Sequence, residues 1–189
     1  MKKIAIYGGT FDPVHHAHLI LARDALETLA LDEVIFVPAA ISPLKKTAPR
    51  ASGEVRLAML RAAIKGEPEF EVDECELLRS PPSYTIDTVE EIRRRESDAA
   101  LYCLIGEDNV EQLPQWHRFN ELEKLVRFVV LDRTGKQPTH TYQLIHRRLD
   151  ISATEIRRRV AQHESIRYLV TESVEEIIQR EKLYREHSK

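Results

Sequence analysis

The sequence of 189 residues carries 31 acidic and 28 basic side chains, which gives a formal net charge of −3 and a pI near 6.3. This length suits one domain with a real hydrophobic core, and the charge excludes the overall positive field of a general nucleic-acid-binding protein. An anionic ligand must therefore be held by a local group of residues.

The composition indicates a cytoplasmic protein. The two cysteines, Cys75 and Cys103, lie far apart and form no CxxC pair, which is typical of proteins from reducing compartments. No apolar run approaches the roughly 18 residues of a membrane span, and the first residues lack the apolar stretch of a signal peptide. We therefore expect neither a membrane nor a nucleic acid among the partners.

In chain order, short apolar runs alternate with helical patterns. Runs rich in Ile, Val and Leu predict strands that are buried on both faces of a parallel sheet, at 2–8, 32–38, 99–106 and 126–132. Helices are predicted between them, at 18–30, 54–64 and 85–95. The alternation predicts an α/β fold with a doubly wound parallel sheet.

Two further segments complete the predicted organisation. The loop 38–53 is long, Pro-rich and basic, so it is a candidate flap over a site. The chain beyond Asp150 has helical patterns throughout. We therefore expect a nucleotide-binding core at 1–150 and a small helical C-terminal cap at 151–189, packed on the same domain. In the first helix, the predicted apolar face consists of Leu19, Ala22, Leu26 and Leu29.

The first predicted strand runs into the sequence GGTFDPVHHAH, which combines features of an anion-binding loop. Gly8 and Gly9 would allow a tight turn and a close approach of the backbone to a ligand. His15 and His18 are three residues apart at a helix entry, where two donors meet the positive end of the helix. Each feature alone is explained by an ordinary turn or helix start. Their combination at the carboxyl end of a strand favours a phosphate site.

Two later stretches predict helix starts of the same kind. In ISATEIR, Ser152 and Glu155 form a capping-box pattern, while Thr154 and Arg157 add a donor and a fixed positive charge. In PSYT, Thr85 is predicted to be the N-cap of a helix whose first N–H groups are exposed. Taken alone, each of these is explained by a structural cap.

Together these motifs resemble those of the nucleotidylyltransferase superfamily. With PPSYTIDTV, LIGEDN and the following QW, the chain is similar over nearly its whole length to the family of bacterial nicotinate mononucleotide adenylyltransferases. The resemblance implies a Rossmann-like fold. It also implies transfer of an adenylyl group from ATP to nicotinate mononucleotide, with release of pyrophosphate and with Mg²⁺ arriving on ATP.

The resemblance also implies roles for individual residues. The expected charge clamp around the phosphates consists of His15, His18, Lys45 and Arg157. The nicotinate carboxylate would meet backbone N–H groups near Thr85 and His117, the ring of Trp116 would stack on the pyridine, and Asp108 would accept from the ribose hydroxyls. The residues expected to bind substrates are Gly8, Gly9, Thr10, Phe11, Thr85, Gly106, Asp108, Trp116, His117, Arg133, Ser152 and Thr154. No residue is expected to bind a metal.

The chain departs from the family pattern at a few positions, and alternatives stay open. Ala17 stands where Gly is usual, Ala39 replaces a common Asn, Leu44 precedes Lys45 where His is usual, and His117 replaces a common Tyr. The alternatives are an adenylyltransferase for another phosphate acceptor, such as nicotinamide mononucleotide or phosphopantetheine, and a non-catalytic nucleotide sensor. The sequence leaves open whether the protein is a homodimer.

Overall fold

A computed structural model describes residues 1–41, 48–135 and 139–185. Its centre is one sheet of six strands: β1 (Lys3–Gly9), β2 (Glu33–Pro38), β3 (Phe70–Val72), β4 (Ala100–Gly106), β5 (Arg127–Asp132) and β6 (Gln143–His146). The strands lie in the order β3-β2-β1-β4-β5-β6, and every pairing is parallel. This is the strand order of a Rossmann-like doubly wound sheet, so the predicted fold class is confirmed.

Helices cover both faces of the sheet. They are α1 (His16–Leu29), α2 (Gly53–Ala63), α3 (Cys75–Leu78), α4 (Thr85–Arg95), α5 (Phe119–Leu125), α6 (Ala153–Ala161) and α7 (Glu172–Arg180), with a 3-10 helix at Glu107–Gln115. The three predicted helices correspond to α1, α2 and α4, and the four predicted strands to β1, β2, β4 and β5. The short elements β3, β6, α3 and α5 were not predicted.

The alternation of side chains along the strands separates two cores. In β1, Ala5 and Tyr7 pack with residues of α1, α2, α6 and α7, whereas Ile4 and Ile6 pack with residues of α3, α4 and α5. Helices beyond Asp150 therefore bury their apolar side chains in the same core as α1 and α2. This arrangement brings the start of α6 close to the loop that follows β1.

The predicted apolar face of α1 is only partly correct. Leu19 is half-buried, whereas Leu21 and Ala25 are buried with Ala22, Leu26 and Leu29. The buried face of α1 therefore includes Leu21 and Ala25, which were not predicted, whereas Leu19 lies at its margin. Within the described ranges, the helices include none that is both long enough and apolar enough to cross a membrane.

Candidate active site

A cavity of about 370 Å³ opens at the carboxyl ends of the central strands. In an open parallel sheet this edge is where ligands bind, next to the point at which the strand order reverses. The cavity is walled by the ends of β1, β2 and β4, by the start of α4 and by the 3-10 helix. The predicted substrate-binding residues that line it are Gly8, Gly9, Thr10, Thr85, Asp108, Trp116 and His117.

The loop after β1 turns through Phe11 rather than through its glycines. Phe11 has φ 47°, in the left-handed region, while Gly8 and Gly9 are absent from the positive-φ residues of the described chain. A Cβ on Gly9 would lie 2.8 Å from the Phe11 ring, so Gly9 is needed for that ring to fold beneath the loop. The expectation that both glycines form the tight turn was therefore wrong. Gly8 faces open space in the cavity.

The Phe11 ring belongs to the core. It is buried and contacts Tyr7 and Phe36 at centroid distances of 5.5 and 5.8 Å, with its edge against His18 at 5.0 Å. The ring therefore packs in the core, and Phe11 is not among the described residues that line the cavity, so its expected contact with substrate stays a prediction.

His15 and His18 lie together at the start of α1. Their rings stack with centroids 3.7 Å apart, and the His15 main-chain N–H donates to His18 Nδ1 at 3.2 Å. Because Nδ1 of His18 accepts this bond, the neutral His18 ring carries its hydrogen on Nε2. His18 is thus held in a fixed orientation by the backbone of its neighbour.

His15 is a neutral group at physiological pH. Burial, with smaller contributions from Arg133 and His16, lowers the pKa of His15 to about 3. Only 2% of the residue is exposed, so an imidazolium there would lose its hydration without a carboxylate partner. In this environment the neutral His15 ring offers a polar nitrogen, and its place in the charge clamp stays a prediction.

The second motif reaches the first one through Arg157. Its Nη1 donates to the main-chain oxygen of Asp12 at 2.7 Å, and its Nη2 donates to Thr154 Oγ1 at 3.2 Å. Arg133 donates to the main-chain oxygen of Ile151 at 3.0 Å and so links the end of β5 to the start of α6. Two motifs separated by most of the chain thus meet at one edge of the sheet.

The predicted capping box at the start of α6 is only half formed. Ser152 is the N-cap and its hydroxyl accepts from the Glu155 N–H at 3.2 Å. The Glu155 carboxylate instead accepts from Arg158 at 2.7 and 2.8 Å. Ser152 therefore caps α6 without the reciprocal contact from Glu155, and Thr154 accepts a hydrogen bond from Arg157.

The loop after β1 is also held by Asp12 and Arg56, which the sequence patterns did not single out. The buried Asp12 carboxylate accepts from the N–H groups of Arg50 and Ala51 at 2.7 and 3.2 Å and from the Tyr184 hydroxyl at 2.7 Å. Arg56, which is 2% exposed, donates to the main-chain oxygens of Thr10 and Ala39 at 2.8 Å and of Ala51 at 3.3 Å. Arg56 thus binds main-chain oxygens, whereas Asp12 binds two main-chain N–H groups and the Tyr184 hydroxyl.

On the opposite wall, α4 begins at Thr85 with Tyr84 as its N-cap, so the prediction of Thr85 as N-cap was wrong by one residue. Thr85 is the first helical residue, where an N–H has no acceptor within the helix. The His117 ring stacks on Tyr84 with centroids 4.3 Å apart. The Trp116 ring packs edge-on to Phe128 at 6.3 Å, and among the described residues its Nε1 has no hydrogen-bond partner.

At the end of β4, Gly106 makes room for Asp108. A Cβ on Gly106 would lie 2.5 Å from Asp108 Oδ1, and that oxygen also accepts from Asn109 Nδ2 at 3.3 Å. Gly106 itself is absent from the cavity wall, whereas Asp108 and Asn109 line it. Gly106 therefore permits the Asp108 carboxylate to lie close to the backbone.

A buried carboxyl group also lines the cavity and was not predicted. Glu76 accepts from Thr88 Oγ1 at 2.8 Å, and Thr88 Oγ1 accepts in turn from Arg79 at 2.5 Å. Burial raises the pKa of Glu76. No hydrophobic periodicity could have identified this group, since its helix, α3, has only four residues.

Lys45 and Leu44 of the predicted flap lie outside the described residues. Ala39, near the start of the same loop, lines the cavity. Across the described ranges, no three His, Cys, Asp or Glu side chains are grouped as metal ligands.

Comparison with known proteins identifies the family. A family model described as cytidylyltransferase-like matches residues 6–159. A protein of Shouchella clausii described as "probable nicotinate-nucleotide adenylyltransferase" is 43% identical over 97% of either chain. One of Bacillus pumilus with the same description is 38% identical over 97% of this chain and 99% of its own.

A solved structure shows the same fold. It is that of Plasmodium falciparum nicotinic acid mononucleotide adenylyltransferase complexed with NaAD, which superposes with a TM-score of 0.78 at 20% identity and covers 97% of this chain and 98% of that chain. At this identity the likeness concerns the fold alone. From its family match and its full-length relatives, the chain belongs to the cytidylyltransferase-like family and groups there with nicotinate-nucleotide adenylyltransferases.

Proposed function

We propose that the protein joins ATP and nicotinate mononucleotide to give nicotinate adenine dinucleotide and pyrophosphate, a step of NAD biosynthesis. The observation that carries this proposal is the sequence identity of 43% and 38% with the two relatives, over nearly the whole length of each. The meeting of Arg157 with the loop after β1 supports it, because adenylyl transfer needs donors on both sides of the phosphates.

The reaction is a direct in-line displacement. An oxygen of the 5′-phosphate of nicotinate mononucleotide forms a bond to the α-phosphorus of ATP. The bond from that phosphorus to the β-bridging oxygen breaks, and its electron pair leaves with pyrophosphate. Because the nucleophile is already an anion, no general base is required, and catalysis consists of positioning and of stabilising the charge on the leaving group.

In this proposal the phosphates lie at the start of α1. His18 donates from Nε2 toward the departing pyrophosphate, His15 supplies a neutral polar contact, and Arg157 supplies the fixed positive charge. Lys45, which lies outside the described residues, is expected to add a second cation. Arg133, Ser152 and Thr154 hold the start of α6, where ATP binds, and Asp108 accepts from the ribose hydroxyls.

Mg²⁺ enters as part of the substrate. Mg²⁺ keeps several of its waters and is commonly bound through substrate phosphates, so we expect it to arrive on the triphosphate of ATP. When bound, the ion neutralises charge on the triphosphate, and the residues named above act on the remaining oxygens.

The acceptor base occupies the cavity between α4 and the 3-10 helix. The N–H groups of Thr85 and His117 receive the nicotinate carboxylate, and Trp116 packs on the pyridine ring. Main-chain donors at a helix start suit a carboxylate because they offer partial positive charge without a cationic side chain.

The test is to incubate the purified protein with ATP, Mg²⁺ and each acceptor in turn, and to measure pyrophosphate. We expect release with nicotinate mononucleotide and much less with nicotinamide mononucleotide or phosphopantetheine. Pyrophosphate release with a different acceptor only would identify that acceptor as the substrate. Binding of ATP without pyrophosphate release under any condition would indicate a nucleotide sensor.

A cytoplasmic location is part of the same proposal. Cys75 and Cys103 are both buried and unpaired, and burial raises the pKa of each thiol to about 12. Reduced, unreactive cysteines suit a reducing compartment. Light scattering of the purified protein will show whether it forms the homodimer that the sequence left open.

A further inference from the structure

We infer that Tyr184, near the end of the described chain, is a positioning residue for adenylyl transfer. Its hydroxyl donates to Asp12 Oδ1 at 2.7 Å, across 172 residues of sequence. Asp12 lies between the glycine loop and His15, so Tyr184 acts on the site through the loop after β1. This inference rests on the proposed function.

The position of Tyr184 is well defined by the fold. The chain after α7 turns through two left-handed residues, Lys182 with φ 52° and Tyr184 with φ 60°. Such conformations are unusual for residues with a side chain and persist where the surroundings fix them. The turn buries Tyr184, which is 6% exposed and belongs to the core shared with α1 and α2.

The hydroxyl is a permanent donor. Burial and the Asp12 carboxylate raise the pKa of Tyr184 far above the physiological range. Asp12 is 5% exposed, and its carboxylate receives three hydrogen bonds in the described chain, of which Tyr184 supplies the only one from a side chain. Asp12 Oδ1 also accepts from the Ala51 N–H at 3.2 Å, so removing the Tyr184 hydroxyl takes away the shorter of its two hydrogen bonds in a buried site.

Asp12 connects Arg157 of the proposed phosphate site with the backbone at Arg50 and Ala51. Its main-chain oxygen accepts from Arg157, and its carboxylate holds the N–H groups of Arg50 and Ala51. Arg157 and Arg56 are also electrostatic neighbours of Tyr184. A shift of Asp12 therefore moves the contact of Arg157 and the backbone that leads into His15. Small displacements of this kind reduce catalysis strongly because the reacting groups must be aligned.

The direct test is Tyr184→Phe, which removes the hydroxyl and keeps the buried ring. We expect kcat for dinucleotide formation to fall about tenfold, the size of one charge-assisted hydrogen bond, while KM for both substrates changes less than about threefold. The matched control is Tyr168→Phe, because Tyr168 is 78% exposed, also has a positive φ of 68° and lies in the same C-terminal part. It should behave like the wild type.

A second control separates positioning from stability. Ile178→Val removes one methylene from the buried face of α7 without touching Asp12, and it should lower Tm to a similar extent. All rates are measured well below the lowest Tm. If Ile178→Val lowers kcat as much as Tyr184→Phe does, the effect is one of general stability and the inference fails.

The link through Asp12 is tested by a double-mutant cycle with Asp12→Ala, which removes both acceptor oxygens, whereas Asn would keep one. If Tyr184 acts through that carboxylate, Tyr184→Phe should change kcat little in the Asp12→Ala background. Additive effects, or an unchanged kcat in Tyr184→Phe alone, would overturn the inference. A wild-type protein that forms no dinucleotide would instead refute the proposed function, so the two failures are distinguishable.

Discussion

Thr85→Pro should remove the preference for the acid substrate while leaving the fold intact. Thr85 is the first residue of α4, and a proline there removes an N–H that has no acceptor within the helix. The preceding residue, Tyr84, has φ −96° and ψ 131°, which is the conformation that a following proline favours. The substitution therefore meets little steric resistance from the backbone.

The expected magnitudes differ strongly between folding and catalysis. A proline compatible with the local backbone changes stability by about 1 kcal/mol or less, which is a few degrees in Tm. The lost donor to the nicotinate carboxylate is a charge-assisted hydrogen bond of about 1.5–3 kcal/mol, or roughly 10- to 150-fold in kcat/KM. The amide substrate should lose less, because a carboxamide presents a single acceptor oxygen.

The assay compares kcat/KM for nicotinate mononucleotide and nicotinamide mononucleotide by pyrophosphate release. We expect the wild type to prefer the acid by about a hundredfold or more, and Thr85→Ala, the matched control, to keep that ratio because it retains the N–H. Thr85→Pro should lose most of it. A Thr85→Pro protein that melts like the wild type and still prefers the acid would refute the assignment of this N–H to the carboxylate.

Three further predictions concern the residues proposed to contact the phosphates and the ribose. His18→Ala should lower kcat by a hundredfold or more, which corresponds to about 2.7–4 kcal/mol, because a donor to the leaving group acts in the transition state. The affinity for ATP, measured by calorimetry, should change little. A raised KM with a normal kcat would contradict this role of His18. Gly106→Ala should raise KM for ATP with a small change in Tm, because the new Cβ displaces the exposed end of Asp108, and Asp108→Ala should mimic it. Burial of neutral His15 should make the protein less stable as pH falls from about 6.5 toward its lowered pKa of about 3, since the unfolded chain then binds the proton that the native chain excludes. The free energy of unfolding of the wild type relative to His15→Gln should therefore rise between pH 4 and 7, and a difference independent of pH would show that His15 titrates normally.

Long elements with a strong hydrophobic pattern could be predicted from the sequence. β1, β2, β4 and β5 are buried on both faces, so their apolar runs are continuous, and α4 has a clear apolar stripe. β3 could not be predicted, because three residues at a sheet edge show no period, and its middle residue is exposed. This segment becomes a strand because it pairs with β2 in the folded protein, and the local sequence carries no information about that pairing.

For the site, residues within a motif could be predicted but their partners could not. GGTFDPVHHAH draws attention to its histidines, yet the low pKa of His15 depends on burial that only the packed fold provides. Arg56 and Tyr184 lie on otherwise ordinary helical or C-terminal stretches, and each reaches the loop after β1 through one long-range contact. A single sequence carries no signal for such contacts.

The hydrogen bond between Asp12 and Tyr184 has a consequence for the timing of folding. The residue whose hydroxyl supports the loop after β1 follows Asp12 by 172 positions in the chain. Contacts of such separation form late, because the intervening chain must first be ordered. The sheet of β1, β2 and β4 can therefore form without this contact, and the loop after β1 gains its support from Tyr184 only once the chain between them is ordered.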